Sequence, residues 1–138
     1  MRYMFIVSGS ESLAVSGPPP ASLFEEIERL TDEMTRNGKM LSFGGLKPTS
    51  SGARMRIANG KLITTDGPFA ESKEVIGGFS IFNLASKEEA LEQGRRFMEL
   101  HRVHWPGWQG ELEIRQMYEQ EDDVQAEQIE GSRVLENA

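Results

Sequence analysis

Hydrophobic and polar positions along this chain of 138 residues follow two periodicities, which together predict six strands and two helices. A period of two, or a short continuous apolar run, marks the predicted strands at 2–8, 40–46, 53–57, 61–65, 75–84 and 111–118. The first strand is apolar on both faces and is therefore predicted to be central. Asn59 and Gly60 lie between the third and fourth strands and predict a type I′ hairpin turn, because both central positions of that turn need positive φ.

Apolar residues at spacings of three and four predict the two helices. The first is predicted to begin at a capping box formed by Ser22 and Glu25 and to stop at the Asn-Gly pair at 37–38. The second is predicted to begin at a similar box formed by Ser86 and Glu89. The residues predicted to face the core are Leu23, Ile27, Leu30 and Met34 in the first helix and Ala90, Leu91, Phe97 and Met98 in the second.

The resulting order is β-α-β, a β-hairpin, then β-α-β, which predicts a ferredoxin-like α+β fold with both helices on one face of an antiparallel sheet. No helix covers the other face, although strands one and six are predicted to carry apolar residues on both sides. Two such faces packed together would remove this surface from water, so a homodimer is expected. The alternative is that the hairpin folds over the open face within one chain.

Composition and charge limit the classes of function. Residues 1–118 are predicted to form one domain of nearly neutral charge, and 119–138 an acidic tail that holds −6 of the net −7. The tail is expected to be solvated and partly disordered, or else to be a helix that docks on a partner. A nearly neutral domain lacks the basic footprint of direct nucleic-acid binding. The absence of cysteine excludes disulfides, thiolate nucleophiles and cysteine-ligated metal sites.

Hydropathy argues against export and membrane insertion. The N-terminal apolar run ends at Ser8 and is too short for a signal peptide. No stretch approaches the roughly 18 apolar residues of a transmembrane helix. A cytoplasmic protein without a membrane partner is therefore expected.

The most unusual local sequence is Asp-Gly-Pro-Phe-Ala-Glu-Ser-Lys-Glu at 66–74, followed by Gly-Gly-Phe at 77–79. An aspartate before Gly-Pro fits a tight turn, because its carboxylate accepts backbone N–H bonds two or three residues later. The alternative role for Asp66 is that of a general base or a ligand contact. Glu71 and Glu74 are either an acid–base pair with Asp66 or the solvated first turn of a helix.

This run resembles the signature of the YCII-related family, also called the DGPF-domain family. The opening strand, Gly-Gly-Leu-Lys-Pro at 44–48 and Glu-Ile-Arg-Gln-Met at 113–117 agree with it, so that the resemblance covers about 1–119. It implies a dimeric α/β-barrel of ferredoxin-like protomers in a bacterial, mostly uncharacterised family. Some members are associated with sigma factors of the extracytoplasmic-function type, and a related branch acts on chlorinated lactones. Other branches pair a first-helix histidine with an aspartate; the segment 21–37 has no histidine, so only Asp66 matches.

Two further groups are candidates. His101 and His104 precede Trp105 and Trp108, and this cluster is either the wall of an aromatic pocket or a packed corner that caps the helix. The His-x-x-His spacing is not interpreted as a metal site, because the chain has no further histidine or cysteine. The third predicted strand carries Arg54 and Arg56 on one face. These two side chains either bind the carboxylate of a small molecule or are charged residues on a solvent-exposed strand face.

These observations leave two functional hypotheses. The first is a small-molecule-binding protein or cofactor-free enzyme for a small organic acid or lactone, with its cavity between sheet and helices. The second is a non-catalytic partner of a sigma factor or other transcription protein. The predicted catalytic residues are Asp66, His104 and His101, and the predicted binding residues are Gly67, Pro68, Phe69, Glu71, Arg54 and Trp105. No metal or cofactor is expected.

Overall fold

The computed structural model describes residues 1–10, 17–69 and 75–119, which we refer to as the described part of the chain. Within it lie eight regular elements and one short 3-10 turn at Thr49–Ser51. The elements are β1 Arg2–Gly9, α1 Ala21–Arg36, β2 Met40–Gly45, β3 Ala53–Ala58, β4 Lys61–Asp66, β5 Val75–Asn83, α2 Lys87–His104 and β6 Gly110–Gln116. The predicted order β-α-β, hairpin, β-α-β is therefore confirmed.

Four strands form an antiparallel sheet in the order β2-β5-β1-β6, and β3 pairs with β4 in a separate hairpin. The central position of β1 agrees with its apolar sequence on both faces. Tyr3 lies opposite Phe82 in this register, and Phe5 lies 4.7 Å from Phe82 between ring centroids. Met34 of α1 and Ala90 of α2 join the same buried cluster, so that both helices cover one face of the sheet. This is the ferredoxin-like arrangement.

The predicted N-terminal cap is correct for α2 and wrong for α1. Ser86 caps α2 as predicted, since its hydroxyl accepts the Glu89 backbone N–H at 3.2 Å. The predicted cap at Ser22 is wrong: the N-cap is Pro20, two residues earlier, and it makes no side-chain cap bond. Pro20 is extended, with φ −66° and ψ 148°, so the chain enters the helix directly from the proline segment. Ser22 therefore lies inside the first turn, and its hydroxyl contacts His104 instead.

The two predicted chain reversals are present. Gly38 adopts φ +77° after α1, its N–H donates to the Thr35 carbonyl, and the next N–H reaches back to Met34, which is a Schellman motif. Asn59 and Gly60 have φ values of +53° and +75°, as the predicted type I′ turn requires.

The open face of the sheet is apolar on β1 and β5 but charged on β6, which differs from the prediction. Met4 and Ile6 of β1 lie opposite Ile81 and Phe79 of β5, and all four are half-buried. The expectation that strand six is apolar on both faces is wrong, because β6 presents its charged side chains there. The strand that supplies the second apolar row is β5.

The hairpin does not cover this open face within one chain, contrary to the alternative considered above. Its apolar side chains Met55, Ile57 and Leu62 are 73%, 77% and 67% exposed.

Within the described part of the chain, no helix is long and apolar enough to cross a membrane.

Candidate functional site

The Asp-Gly-Pro-Phe segment closes the base of the hairpin against the turn that precedes β3. Asp66 is the last residue of β4 and lies opposite Ala53. The Gly67 N–H donates to the Gly52 carbonyl at 2.9 Å, and the Phe69 N–H donates to Thr49 Oγ1 at 3.3 Å. The two ends of the hairpin are thus joined by backbone and hydroxyl groups.

Gly67 is required by this close approach. A β-carbon at its position would lie 1.7 Å from the Thr49 carbonyl oxygen and 2.6 Å from the Thr49 carbonyl carbon. The following Pro68 continues the chain through a cis peptide bond, and Phe69 is buried. The Arg54 guanidinium lies 3.9 Å above the centre of the Phe69 ring, a cation–π geometry.

Among the described residues, no N–H group of the turn donates to the Asp66 carboxylate. Its side chain was expected to accept backbone N–H bonds from the residues that follow, but the N–H groups of Gly67 and Phe69 go to Gly52 and Thr49 instead. Asp66 is exposed, and within the described part of the chain no hydrogen bond or ion pair joins its carboxylate to a histidine. The turn interpretation of Asp66 therefore loses its structural support.

The two faces of the hairpin have different chemistry. Residues opposite each other in an antiparallel pair share a face, and the face alternates along each strand. Asp66 therefore shares one face with the apolar side chains Met55, Ile57 and Leu62. Arg54 and Arg56 lie on the reverse face, so the register separates these predicted carboxylate-binding groups from Asp66.

The second predicted group lies at the C-terminal end of α2. His101 is buried, its ring centroid is 4.5 Å from those of both Phe97 and Trp108, and its Nδ1–H donates to the Phe97 carbonyl at 2.9 Å. Burial lowers the pKa of His101 from its ordinary value of 6.5, and the Phe97 hydrogen bond opposes this in part. Stacking of Trp105 on Trp108, 5.8 Å apart, completes the cluster. This geometry favours the packed corner over the pocket wall.

Trp108 also explains two glycines at this end of the sheet. Its ring lies across the pair Gly9 and Gly110, where a β-carbon on Gly110 would be 1.9 Å from the indole. His104 makes a separate contact, with its Nδ1 3.3 Å from the Ser22 hydroxyl. The corner thus locks α2 to β1 and β6.

The predicted site residues therefore divide into two groups. Asp66, Gly67, Pro68, Phe69 and Arg54 meet at the base of the hairpin, whereas His101, His104 and Trp105 lie in the corner of α2. Glu71, like Glu74, lies outside the described residues. The residue that sequence reasoning missed is Thr49, which holds Phe69 from 20 positions away. No local pattern links positions so far apart.

Between sheet and helices, the side chains of Tyr3, Phe5, Met34 and Phe82 pack in one buried cluster. Within the described part of the chain, a groove of about 350 Å³ runs between the two helices, and none of the predicted site residues lines it. It is lined by Glu26, Arg29, Leu30, Glu33, Arg96 and Leu100.

These features define a ferredoxin-like α+β protein with a hairpin inserted between its two βαβ halves. The sequence model of the family described as YCII-related domain matches residues 1–98. An uncharacterised protein of Rhizobium meliloti (strain 1021) is 32% identical over 97 residues, which make up 69% of this chain and 78% of that relative. The chain belongs to the YCII-related domain family, and the resemblance found in the sequence is confirmed.

Proposed function

We propose that this protein binds a small organic acid or lactone at the base of the hairpin, and that Asp66 transfers a proton in a cofactor-free reaction. The observation that carries this proposal is the bonding of the turn: Thr49 and Gly52 accept its N–H groups, and among the described residues none of these bonds goes to the Asp66 carboxylate. A carboxylate at the start of the family signature that accepts none of the described N–H groups of its own turn is better explained by binding or chemistry.

The surroundings of Asp66 suit this role. It stands at the end of an apolar strip made by Met55, Ile57 and Leu62, which would contact the apolar part of a small organic acid or lactone. The close approach at Gly67 fixes the backbone next to it. Arg54 supports the same turn through Phe69 rather than facing Asp66.

We further propose that the protein works as a homodimer in which the open sheet faces pack together. Met4, Ile6, Phe79 and Ile81 form an apolar row on the sheet face opposite the two helices of the described residues. Packing two such rows removes both from water, which is the main driving force for association.

The test of the chemistry is a proton-transfer assay on a panel of small carboxylic acids and γ-lactones. α-Angelica lactone is a suitable member, because a base removes a proton from C3 and the proton is returned to C5, so that the product is the conjugated isomer and is followed by absorbance. We expect wild type to isomerise at least one member, and Asp66→Asn to lower turnover by about 10²–10⁴-fold, the usual contribution of a general base.

Thr65→Val, on the neighbouring position of the opposite hairpin face, is the matched control and should keep its turnover. Equal rates for wild type and Asp66→Asn would remove Asp66 from the mechanism. The absence of binding and turnover for every member, measured by calorimetry and absorbance, would reject this class of ligand.

The regulatory alternative, a sigma factor or other transcription protein as partner, depends on the acidic tail. The tail from residue 120 onward lies outside the described residues. This alternative therefore stays a proposal, which a deletion experiment tests below.

A further inference from the structure

The hairpin face that carries Asp66 has a second polar side chain, the hydroxyl of Thr64. The cross-strand pairs on this face, which we call the Asp66 face, are Asp66 with Ala53, Thr64 with Met55, and Leu62 with Ile57. The alanine, methionine, leucine and isoleucine side chains have no hydrogen to donate to a ligand. Among the strand residues of the hairpin, Thr64 is therefore the hydrogen-bond donor of the Asp66 face.

The Thr64 hydroxyl is free to contact a ligand. Thr64 is exposed, and within the described part of the chain no hydrogen bond joins its hydroxyl to another group. Threonine favours strands, which alone could explain its presence here. Thr65 separates the two explanations, because it is also exposed but lies on the opposite face, across from Arg54. Both threonines suit the strand equally, whereas Thr64 shares a face with Asp66.

The spacing of Thr64 and Asp66 fits a carbonyl compound. Two residues that are neighbours on one face of a strand are about 7 Å apart. A carboxylate oxygen approaches the carbon that it deprotonates to about 3–3.5 Å, and a hydroxyl donates to a carbonyl oxygen at about 2.7 Å. In such a ligand the carbonyl carbon alone separates that oxygen from the neighbouring C–H carbon. One small ligand can therefore contact both side chains at once.

The charges of the hairpin favour an uncharged ligand over the anion of an organic acid. The basic side chains Arg54, Arg56 and Lys61 all lie on the face opposite to Asp66. Within residues 53–66, the Asp66 face thus holds a carboxylate and no cation, so an ionised acid is repelled there. A lactone has no net charge and avoids this repulsion.

We infer that the ligand at Asp66 is an uncharged lactone or a related carbonyl compound, and that the Thr64 hydroxyl donates a hydrogen bond to its carbonyl oxygen. Asp66 removes a proton from the carbon next to the carbonyl, and the electron pair of that C–H bond moves to the oxygen, which becomes an enolate oxygen. The Thr64 hydrogen bond stabilises the new charge. Protonated Asp66 then returns the proton to the γ-carbon, so no other reactant is consumed. This inference rests on the proposed function, because it names the ligand class and the second group of the same site.

The test compares two neighbouring threonines on opposite faces of the hairpin. Isomerisation of α-angelica lactone is followed by absorbance for wild type, Thr64→Val, Thr64→Ser and Thr65→Val. Valine matches the shape of threonine without the hydroxyl and also favours strands, so the valine variants should fold. Circular dichroism and urea unfolding check the fold of each variant.

Thr64→Val should lower kcat by about tenfold or more, because a hydrogen bond to a developing enolate oxygen is stronger than one to a neutral carbonyl. For the same reason KM should change by less than about threefold. Thr64→Ser keeps the hydroxyl and should restore kcat to within about threefold of wild type. Thr65→Val should stay within about twofold, because its hydroxyl lies on the other face.

The charge of the ligand is tested with two inhibitors that share one carbon skeleton, γ-valerolactone and its ring-opened form 4-hydroxyvalerate. At about 50 mM NaCl, the lactone should inhibit wild type at a concentration about fivefold or more below that of the carboxylate. Inhibition by the carboxylate that is equal or stronger, or no inhibition by the lactone, would overturn the choice of an uncharged ligand.

The kinetic results separate this inference from the proposed function. Equal rates for Thr64→Val and Thr65→Val, with Asp66→Asn inactive, would overturn the role of Thr64 and leave the proposed function standing. Turnover of an organic acid but of no lactone would overturn the ligand class in the same way. Turnover that is unchanged in Asp66→Asn, or no turnover of any member of the panel, would reject the proposed chemistry and this inference with it.

Discussion

Gly67→Ala should destabilise the protein more than any other glycine substitution at the hairpin base. The new methyl carbon would lie 1.7 Å from the Thr49 carbonyl oxygen, and the obstacle is backbone rather than a movable side chain. The turn must therefore leave the Thr49–Ser51 segment. That movement breaks the bonds from the Gly67 N–H to Gly52 and from the Phe69 N–H to Thr49, each worth about 1 kcal/mol.

Movement of the turn also exposes part of Phe69, which is only 9% exposed and whose full burial is worth about 1.5–3 kcal/mol. Adding these effects predicts a loss of about 2–4 kcal/mol in the free energy of unfolding. The measurement is urea denaturation followed by linear extrapolation. Gly77→Ala is the matched control, because no heavy atom lies within 4 Å of its β-carbon position, and it should change stability by about 0.5 kcal/mol or less.

The reasoning would be refuted if Gly67→Ala and Gly77→Ala unfolded at the same urea concentration as wild type. The turn would then have a second conformation of equal free energy. In that case the contact between Gly67 and Thr49 would not fix the position of Asp66, and the candidate site would lose its rigid frame.

Three other predictions concern the helix caps, the buried histidine and the tail. Ser86→Ala should lower the free energy of unfolding by about 1 kcal/mol, because the Ser86 hydroxyl caps α2. Ser22→Ala removes no cap and should lower it by at most about 0.5 kcal/mol in the same urea assay. Equal losses would contradict the assignment of the caps. Burial lowers the folded-state pKa of His101 below 6.5, so as the pH falls the unfolded state binds the proton first. The free energy of unfolding should therefore be highest above pH 6.5 and decrease as the pH drops below it. This decrease should be smaller in His101→Gln, and an unchanged decrease would assign it to other groups. Deleting 119–138 should abolish pull-down of a sigma factor if the regulatory alternative holds, and unchanged capture would separate the tail from partner binding.

Much of the fold was predictable because its signals are local. The hairpin turn follows from Asn59 and Gly60, whose positive φ values fit few other residues. The Ser86 cap follows from the capping-box spacing of Ser86 and Glu89. The Ser22 cap failed because the helix already begins at Ala21, directly after the three prolines, so that Ser22 lies inside its first turn.

The candidate site was predictable only in part. The unusual run at 66–74 pointed to the correct turn, but its partner Thr49 is joined to it by tertiary contact, which no periodicity reveals. The separation of Arg54 from Asp66 depends on the strand register, which places Ala53 opposite Asp66. The sequence of the two strands does not specify this register. The buried state of His101 depends on Trp108, a residue beyond the helix end.

The central claim is that Asp66 is present for binding or chemistry and not for the stability of its turn. Its most direct test is urea unfolding of Asp66→Ala beside Thr49→Val, which removes the hydroxyl that accepts the Phe69 N–H. The account predicts that Thr49→Val loses about 1 kcal/mol and that Asp66→Ala stays within about 0.5 kcal/mol of wild type or gains stability. A loss of about 1 kcal/mol or more in Asp66→Ala, as for a missing cap, would contradict it.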